Sequence, residues 1–350
     1  MFSKTVWSYL VVTAFLAISM RVAGDHWWPA TLLLFGPRWI ILLPLLLLIP
    51  LAVWYHAKLL IPLVIASLLM FSLFAGFNLP FNKVLSNTPE KPALRVITCN
   101  IQSGNFDLSR LSSLISKSEA DVVALQECSQ QAKLPLPEGW QLIREGELAV
   151  MSRYPLRSQR TLQTLHPPHK WPRTSLLSCV ISVPGGDVAF CAVHLPSPRY
   201  GLMNMLDRKL LLNFSRSGLL VRETAHRLQA ARDAQRAIEA LDLPVIVAGD
   251  FNMPVESSIY RECWSGYRNA FSSLGLGFGW TERVDVRGIP LAARIDHVLT
   301  GEGLVPRTCQ VGPDIGSDHL PVLADIARMR RASSAGTPPN RKKRFRTAGK

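Results

Sequence analysis

Cysteine is present in this chain of 350 residues, but a cysteine pattern is not. Cys99, Cys128, Cys179, Cys191, Cys263 and Cys309 are widely spaced and form no C-x-x-C pair, which argues against a cysteine-held metal. No internal repeat divides the chain, so a solenoid or propeller is excluded. The basic residues are not interleaved with an aromatic stripe, so the stacking platform typical of single-strand nucleic-acid binders is missing. No acidic residue follows Asp325. No small-x-small site follows the first apolar run, which disfavours a cleaved signal peptide.

Charge is scarce in the first 80 residues, and what fills them is apolar. Val6 to Met20, Trp39 to Tyr55 and Leu59 to Asn78 are three such runs, each near the ~20 residues a membrane helix needs. Trp27, Trp28 and Trp54 suit interfacial positions. The sequence therefore predicts three transmembrane helices in 1–80, a polar linker at 81–92 and a soluble domain over 93–327. The net charge is +14, and much of it lies in a tail at 328–350 that includes Arg341, Lys342, Lys343, Arg344 and Arg346. Its small, Pro-rich stretch predicts disorder, and its charge suits anionic lipid or nucleic acid as well as plain solvation.

In the soluble part, strand-like runs alternate with helical periodicity, at Leu108 to Ser118 and Arg222 to Leu241. Strands are expected at 93–101, 121–126, 148–151, 176–183, 188–193, 244–248, 294–299 and 322–326. Hairpins mixed with helical crossovers predict mixed sheets. Cys179 and Cys191 flank a hairpin turn at Pro184 to Asp187, where a cross-strand disulfide is the lesser alternative to two core thiols.

The polar residues that matter sit where strands end. Pro244 to Ala248 reads as a buried strand, followed by Gly249-Asp250-Phe251-Asn252. Residues two apart share a side, which puts a carboxylate and an amide at one mouth of a sheet. Asn100, Glu127, His194, Asp296 and the Ser317-Asp318-His319 turn occupy similar positions. Singly, each has a bland reading as a cap, a surface acid or a satisfied histidine. Together they make an oxygen-rich set with imidazoles, suited to a hard cation and phosphoester chemistry.

Asn100-Ile101, the Asp121 to Glu127 run, His194-Leu195, Gly249 to Asn252, Ile295-Asp296-His297 and Gly316 to Val322 follow the order found in the endonuclease/exonuclease/phosphatase superfamily, and residues 93–327 resemble it. The resemblance implies a four-layer α/β sandwich of two mixed β-sheets flanked by helices, here preceded by the bundle of three transmembrane helices. It implies Mg²⁺ or Mn²⁺ at Glu127, with Asn100 and Asp318 in or beside the shell. Asp250 would position or deprotonate the attacking water, and Asn252 would hold that water or a phosphate oxygen. His319, oriented and kept cationic by Asp296, would contact the scissile phosphate. His194 would be a second phosphate ligand or the proton donor to the leaving oxygen. Arg173 resembles a phosphate-binding arginine, and Arg199 is a further candidate. Position 102 is Gln where several relatives carry an acid, so a leaner metal shell is expected.

The substrate stays open between a lipid-linked phosphate or pyrophosphate and a nucleic acid. A catalytically inactive membrane scaffold is the non-enzymatic alternative. Some three-span members of the superfamily act on polyprenyl pyrophosphates, and this architecture resembles theirs. The segment after His194 interleaves Arg199, Arg208 and Lys209 with Leu202, Met203, Leu206 and Leu210, which fits a membrane surface or ordinary core packing. The expected setting is the plasma membrane of a bacterium, with the bilayer itself as partner and no obligate protein partner. Basic residues flanking the spans lean toward a cytoplasmic catalytic domain. Accordingly, a fluorescent protein that matures only in the cytoplasm, fused after Lys350, is expected to fluoresce. A fusion active only as an exported reporter contradicts that orientation.

Overall fold

Segments that are apolar all round satisfy their backbone polar groups within a helix. The computed structural model describes residues 1–80, 94–165, 172–205, 214–286 and 288–329. Its N-terminal part contains α1 (Phe2–Ala23), α2 (Trp28–Phe35), α3 (Leu45–Tyr55) and α4 (Leu60–Leu68). With their flanking 3-10 and π turns, Phe2–His26, Arg38–Tyr55 and Ala57–Phe74 are long and apolar enough to cross a membrane. Their outward faces expose Val11, Phe15, Ile18, Leu46, Leu47 and Ile61. The short α2 is an addition to the sequence expectation. Pro29 lies in its first turn, where a missing N–H costs nothing. Residues 81–93 and 330–350, which take in the expected linker and nearly all of the basic tail, lie outside the described residues.

The soluble domain is built from β1 (Leu94–Asn100), β2 (Val122–Gln126), β3 (Gln141–Glu145), β4 (Leu148–Ser152), β5 (Leu156–Leu165), β6 (Pro172–Val183), β7 (Gly186–His194), β8 (Val245–Asp250), β9 (Arg268–Asn269), β10 (Glu282–Val286), β11 (Ile289–Ala293), β12 (Asp296–Thr300), β13 (Leu304–Val311) and β14 (Val322–Arg328). One sheet has the order β13-β14-β1-β2-β4-β3 and the other β5-β6-β7-β8-β12-β9, while β10 and β11 form a separate hairpin. The pairs β1/β2 and β7/β8 are parallel, and their outer neighbours are antiparallel. Both sheets are therefore mixed, as expected. Arg328 ends β14 and donates to the carbonyls of Gly186 and Asp187, so the folded domain reaches one residue into the expected tail.

Between the sheets lies a core that includes Val96, Val122, Phe190, Ile246 and Val298. Helix α5 (Leu108–Lys117), capped by the Asp107 carboxylate, covers the outer face of the first sheet with Leu111, Leu114 and Ile115. The chain continues through α6 (Arg199–Asn204) to α7 (Ser217–Glu239), which covers the second sheet with Ala231, Ala234 and Ile238. The short helices α8 (Ser258–Trp264) and α9 (Ala270–Leu274) complete the domain. Helix, sheet, sheet and helix make the expected four layers. Cys179 pairs with Phe190 in the ladder, and Cys191 pairs with Ser178. The two cysteines therefore face opposite sides of the sheet, one in each core. They are free thiols, and the cross-strand disulfide is ruled out by register.

The N-terminal helices are seated on the soluble domain through buried charge. Asp25, just after α1, pairs with Arg227 of α7 at 2.7 Å, with both side chains fully buried. The other Asp25 oxygen accepts hydrogen bonds from the hydroxyls of Ser257 and Ser258. Arg227 also donates to the carbonyls of Pro196 (3.3 Å) and Asn252 (3.0 Å). Nearby, Arg38 reaches Glu256 at 3.5 Å. Removing one member of a buried pair strands the other, which typically costs about 3–5 kcal/mol, whereas an apolar replacement of both is often neutral. Asp25→Ala is thus expected to lower the thermal unfolding midpoint of the detergent-solubilised full chain markedly. Combining Asp25→Leu with Arg227→Met should restore most of it, and a single variant as stable as wild type contradicts the buried-pair assignment.

Candidate active site

Strand β8 reaches the site through a backbone that only glycine allows. Gly249 has φ +151°, and a Cβ there would lie 2.0 Å from the Val193 carbonyl oxygen of the adjacent β7. Parallel pairing of β7 with β8 sets His194 beside Asp250, and antiparallel pairing of β12 with β8 sets Asp296 opposite Asp250. Asn252 follows with φ +52° and Glu127, after β2, with φ +50°. Left-handed conformations of this kind cluster at functional sites.

The amide of Asn100, at the end of β1, joins the two sheets. It donates to Glu127 Oε1 and to Asp250 Oδ2, both at 3.1 Å. Asp250 accepts further bonds from the Asn252 backbone N–H (2.8 Å) and side-chain amide (3.2 Å). The same Asn252 amide donates to the Leu195 carbonyl at 2.8 Å, so this side chain holds the Asp250 carboxylate in place. On the other flank, His319 Nδ1 lies 2.9 Å from Asp296 Oδ2 and its Nε2 lies 4.0 Å from Asp250. His194 Nε2 stands 3.8 Å from Asp250 and 3.9 Å from Glu127. Asp318 is tied in by Gln102, whose amide donates to it at 3.0 Å. The Ser317 hydroxyl donates to the Asn100 carbonyl at 2.7 Å and accepts from the His319 N–H, which fixes the Ser-Asp-His turn.

Asn100, Glu127, His194, Asp250, Asn252, Asp296, Asp318 and His319 therefore meet around one point. Arg173, on β6, pairs with Glu147 beside His194. Arg199 opens α6 and lines a cavity together with Asn252. His297, although part of the motif, serves packing: its ring bonds the Met253 carbonyl at 2.9 Å and sits against Phe251 and Tyr260. Two acids escaped sequence reasoning. Glu147 lies in the tight turn between β3 and β4, and Glu282 starts the separate hairpin and bridges to His319 through the backbone. Neither ends an apolar strand, so neither carried the signal that found the others. Arg227 was missed because it lies within a long helix whose pattern reads only as amphipathic.

Burial sets the protonation states. Desolvation, and then the neighbouring Asp296, push Asp250 well above its ordinary value, which makes it a stronger base. Burial alone would depress His319, but Asp296, with help from Asp250 and Glu282, holds its imidazole well above the usual range. Burial, Arg173 and His319 push His194 down to about 3. One imidazole is therefore cationic at neutral pH and the other neutral. Asp296 Oδ1 is buried without a hydrogen-bond partner, and ligand atoms of Asp250, Asp296 and His319 lie within 4.8 Å of one another. His319 is protonated and bonded to Asp296, so this trio is an acid–base cluster; the oxygens that fit a hard divalent cation are the neighbouring carboxylates of Glu127 and Asp318.

A family model described as the Endonuclease/Exonuclease/phosphatase family matches residues 97–319. Among solved structures, the chain is similar to a 3'-5' exonuclease from Neisseria meningitidis, at 19% identity over 67% of this chain and 100% of that one, with a TM-score of 0.49. It is similar to an endonuclease/exonuclease/phosphatase from Beutenbergia cavernae, at 20% identity over 68% and 72% of the two chains, with a TM-score of 0.47. The human Nocturnin catalytic domain is similar at 16% identity over 69% and 97%, with a TM-score of 0.47. At these identities the likeness concerns the fold alone. A search of curated proteins by sequence finds no match.

The imidazole states are open to measurement. In the metal-free protein, His319 is expected to keep its proton well above pH 6.5, and His194 to stay neutral into acid. Stability derived from protonated His319 is fully present below its unfolded pKa and is lost as pH rises through the raised one. Asp296→Asn should bring the His319 titration back toward its ordinary value. Histidine-selective NMR titration reads both rings, and a wild-type His319 titrating near 6.5 contradicts the pairing.

Proposed function

The chain belongs to the endonuclease/exonuclease/phosphatase family, and we propose that it is a membrane-tethered hydrolase that cleaves a lipid-linked phosphoester at the cluster around Asp250. Family members are divalent-metal-dependent phosphoesterases, and the carboxylates of Glu127 and Asp318, gathered beside Asn100 and Gln102, suit the same chemistry. The observation that carries the reading is the convergence of a base, a cationic imidazole and a metal-type donor set on one point. In this reading Asp250, made basic by burial, takes a proton from the attacking water. Asn252 holds the carboxylate aimed. Protonated His319, oriented by Asp296, neutralises charge that builds on the phosphate oxygens in the in-line transition state. The depressed pKa of His194 suits hydrogen bonding to the phosphate better than proton donation. Glu127 and Asp318, with Asn100 beside them, would hold Mg²⁺ or Mn²⁺. That cation supplies Lewis-acid stabilisation of the phosphoryl oxygens. Gln102, standing where relatives have an acid, would act through Asp318.

Support for a lipid-linked rather than a nucleic-acid substrate comes from the seat of the N-terminal helices. Asp25 bonds the start of α8, just past the Asp250 motif. A site held this close to three apolar helices meets a membrane substrate first. In nanodiscs, the full chain is expected to hydrolyse polyprenyl pyrophosphate or members of a phospholipid panel with Mg²⁺ or Mn²⁺. Chelation should abolish turnover, and added metal should restore it. Asp250→Asn and His319→Ala should each lower kcat by at least about a hundredfold; Asp250→Asn should do so without lowering the unfolding midpoint, whereas His319→Ala also strands buried Asp296 and lowers it. Wild-type rates in both variants would sink the site assignment. Nicking of plasmid DNA with no lipid turnover would replace the substrate class.

A further inference from the structure

The hairpin β10–β11 belongs to neither sheet, yet one of its faces is apolar. Along β10, Glu282, Val284 and Val286 are half-buried while Arg283 and Asp285 are exposed; along β11, Ile289, Leu291 and Ala293 alternate in the same way with Pro290 and Ala292. That face does not close onto a core. It borders a cavity of about 510 Å³ whose apolar lining includes Leu32 and Phe35 of α2, Leu202 of α6, and Val284, Ile289 and Leu291 of the hairpin. The same cavity is lined by Asn252, Glu282 and Arg199. Asn252 holds Asp250, and Glu282 bridges to His319, so the cavity abuts the reaction site.

We propose that this cavity binds the apolar chain of a lipid phosphate whose phosphate lies at Asp250, with α2 forming the wall that the N-terminal segment contributes. The inference rests on the phosphoester reading and adds where the rest of the substrate goes. Its size lies in the range of small-molecule sites. An apolar void gives water few hydrogen-bond partners, so a hydrocarbon chain gains by filling it. Among its polar lining residues, Arg199 and Asn252 suit an anionic head, while the carboxylates Glu282 and Asp285 lie on the hairpin. Phe35 is the one aromatic among the described lining residues, which leaves nucleobases without the stacking they need. The walls come from two sources, a helix between candidate membrane spans and, from the domain that carries the site, the ribbon together with α6. Such a pocket forms only when both are present, which accounts for a hairpin that would otherwise expose its apolar side.

The test is a chain-length series in nanodiscs with Mg²⁺, using p-nitrophenyl phosphodiesters whose second ester group runs from methyl to octyl. Burial of a methylene is worth about fourfold, so kcat/KM is expected to climb by about that factor per carbon over the first members of the series. Val284→Trp and Ile289→Trp fill the cavity and should flatten the climb. The readout is the octyl-to-methyl ratio within one preparation, so a general loss of activity cancels. A non-hydrolysable probe, octyl phosphonate, measured by equilibrium dialysis on Asp250→Asn protein, gives the same comparison without turnover. Its affinity should fall at least tenfold when Val284→Trp or Ile289→Trp is added. The proposal is overturned if both tryptophan variants keep the wild-type chain-length ratio and octyl phosphonate affinity. Turnover of the methyl ester by Asp250→Asn at the wild-type rate would instead fault the underlying reaction assignment, and the phosphonate comparison would still decide the cavity.

Discussion

One side-chain amide spans the gap between two sheets, and the site depends on it. Asn100 ends a strand of the first sheet, Asp250 ends a strand of the second, and a hydrogen bond of 3.1 Å connects them. The second hydrogen of that amide goes to Glu127. A one-residue slip of β1 or β8 within its own sheet would turn these side chains to the opposite face. The packed core between the sheets is what prevents the slip. Val96, Val122, Phe190, Ile246 and Val298 interlock there, and interiors this dense deform little.

The electrostatics follow from the same geometry. Bringing Asp250, Asp296 and His319 together under burial makes each sensitive to the others. A buried carboxylate beside another becomes basic, while an imidazole facing an acid becomes cationic. His194 approaches the same Asp250 oxygen as His319, at 3.8 Å, but burial, then Arg173 and His319, drive off its proton. Two histidines of one site are thereby given different characters, one a cation and the other a neutral hydrogen-bonding ring.

Much of this was legible in the sequence because strand ends announce themselves. An apolar run followed by Gly-Asp-Phe-Asn, or by Gln-Glu, states both the element and the polar group it presents. The site residues drawn from such positions came together, and the two mixed sheets followed from the alternation of hairpins and crossovers. The strands that escaped are those whose side chains carry little apolar period. β5 reads Leu-Arg-Ser-Gln-Arg-Thr-Leu-Gln-Thr-Leu and is a strand because it pairs with β6, a tertiary fact. The hairpin β10–β11 was invisible for a related reason, since its Glu and Val residues alternate only over a few positions. Asp25 and Arg227 could not be matched from sequence at all. They lie 202 positions apart, and each alone reads as a polar residue at a helix end or on a helix face.

Seating through Asp25 and Arg227 differs in kind from tethering. A flexible leash lets an enzyme sweep a hemisphere and sample solutes from bulk water. A buried ion pair that also grips the Asn252 carbonyl fixes the height and tilt of the reaction centre relative to the helices that carry it. On the proposed reading, with those helices in a bilayer and a lipid as substrate, encounters are two-dimensional: the relevant concentration is a mole fraction in a surface, and delivery is set by lateral diffusion within that surface.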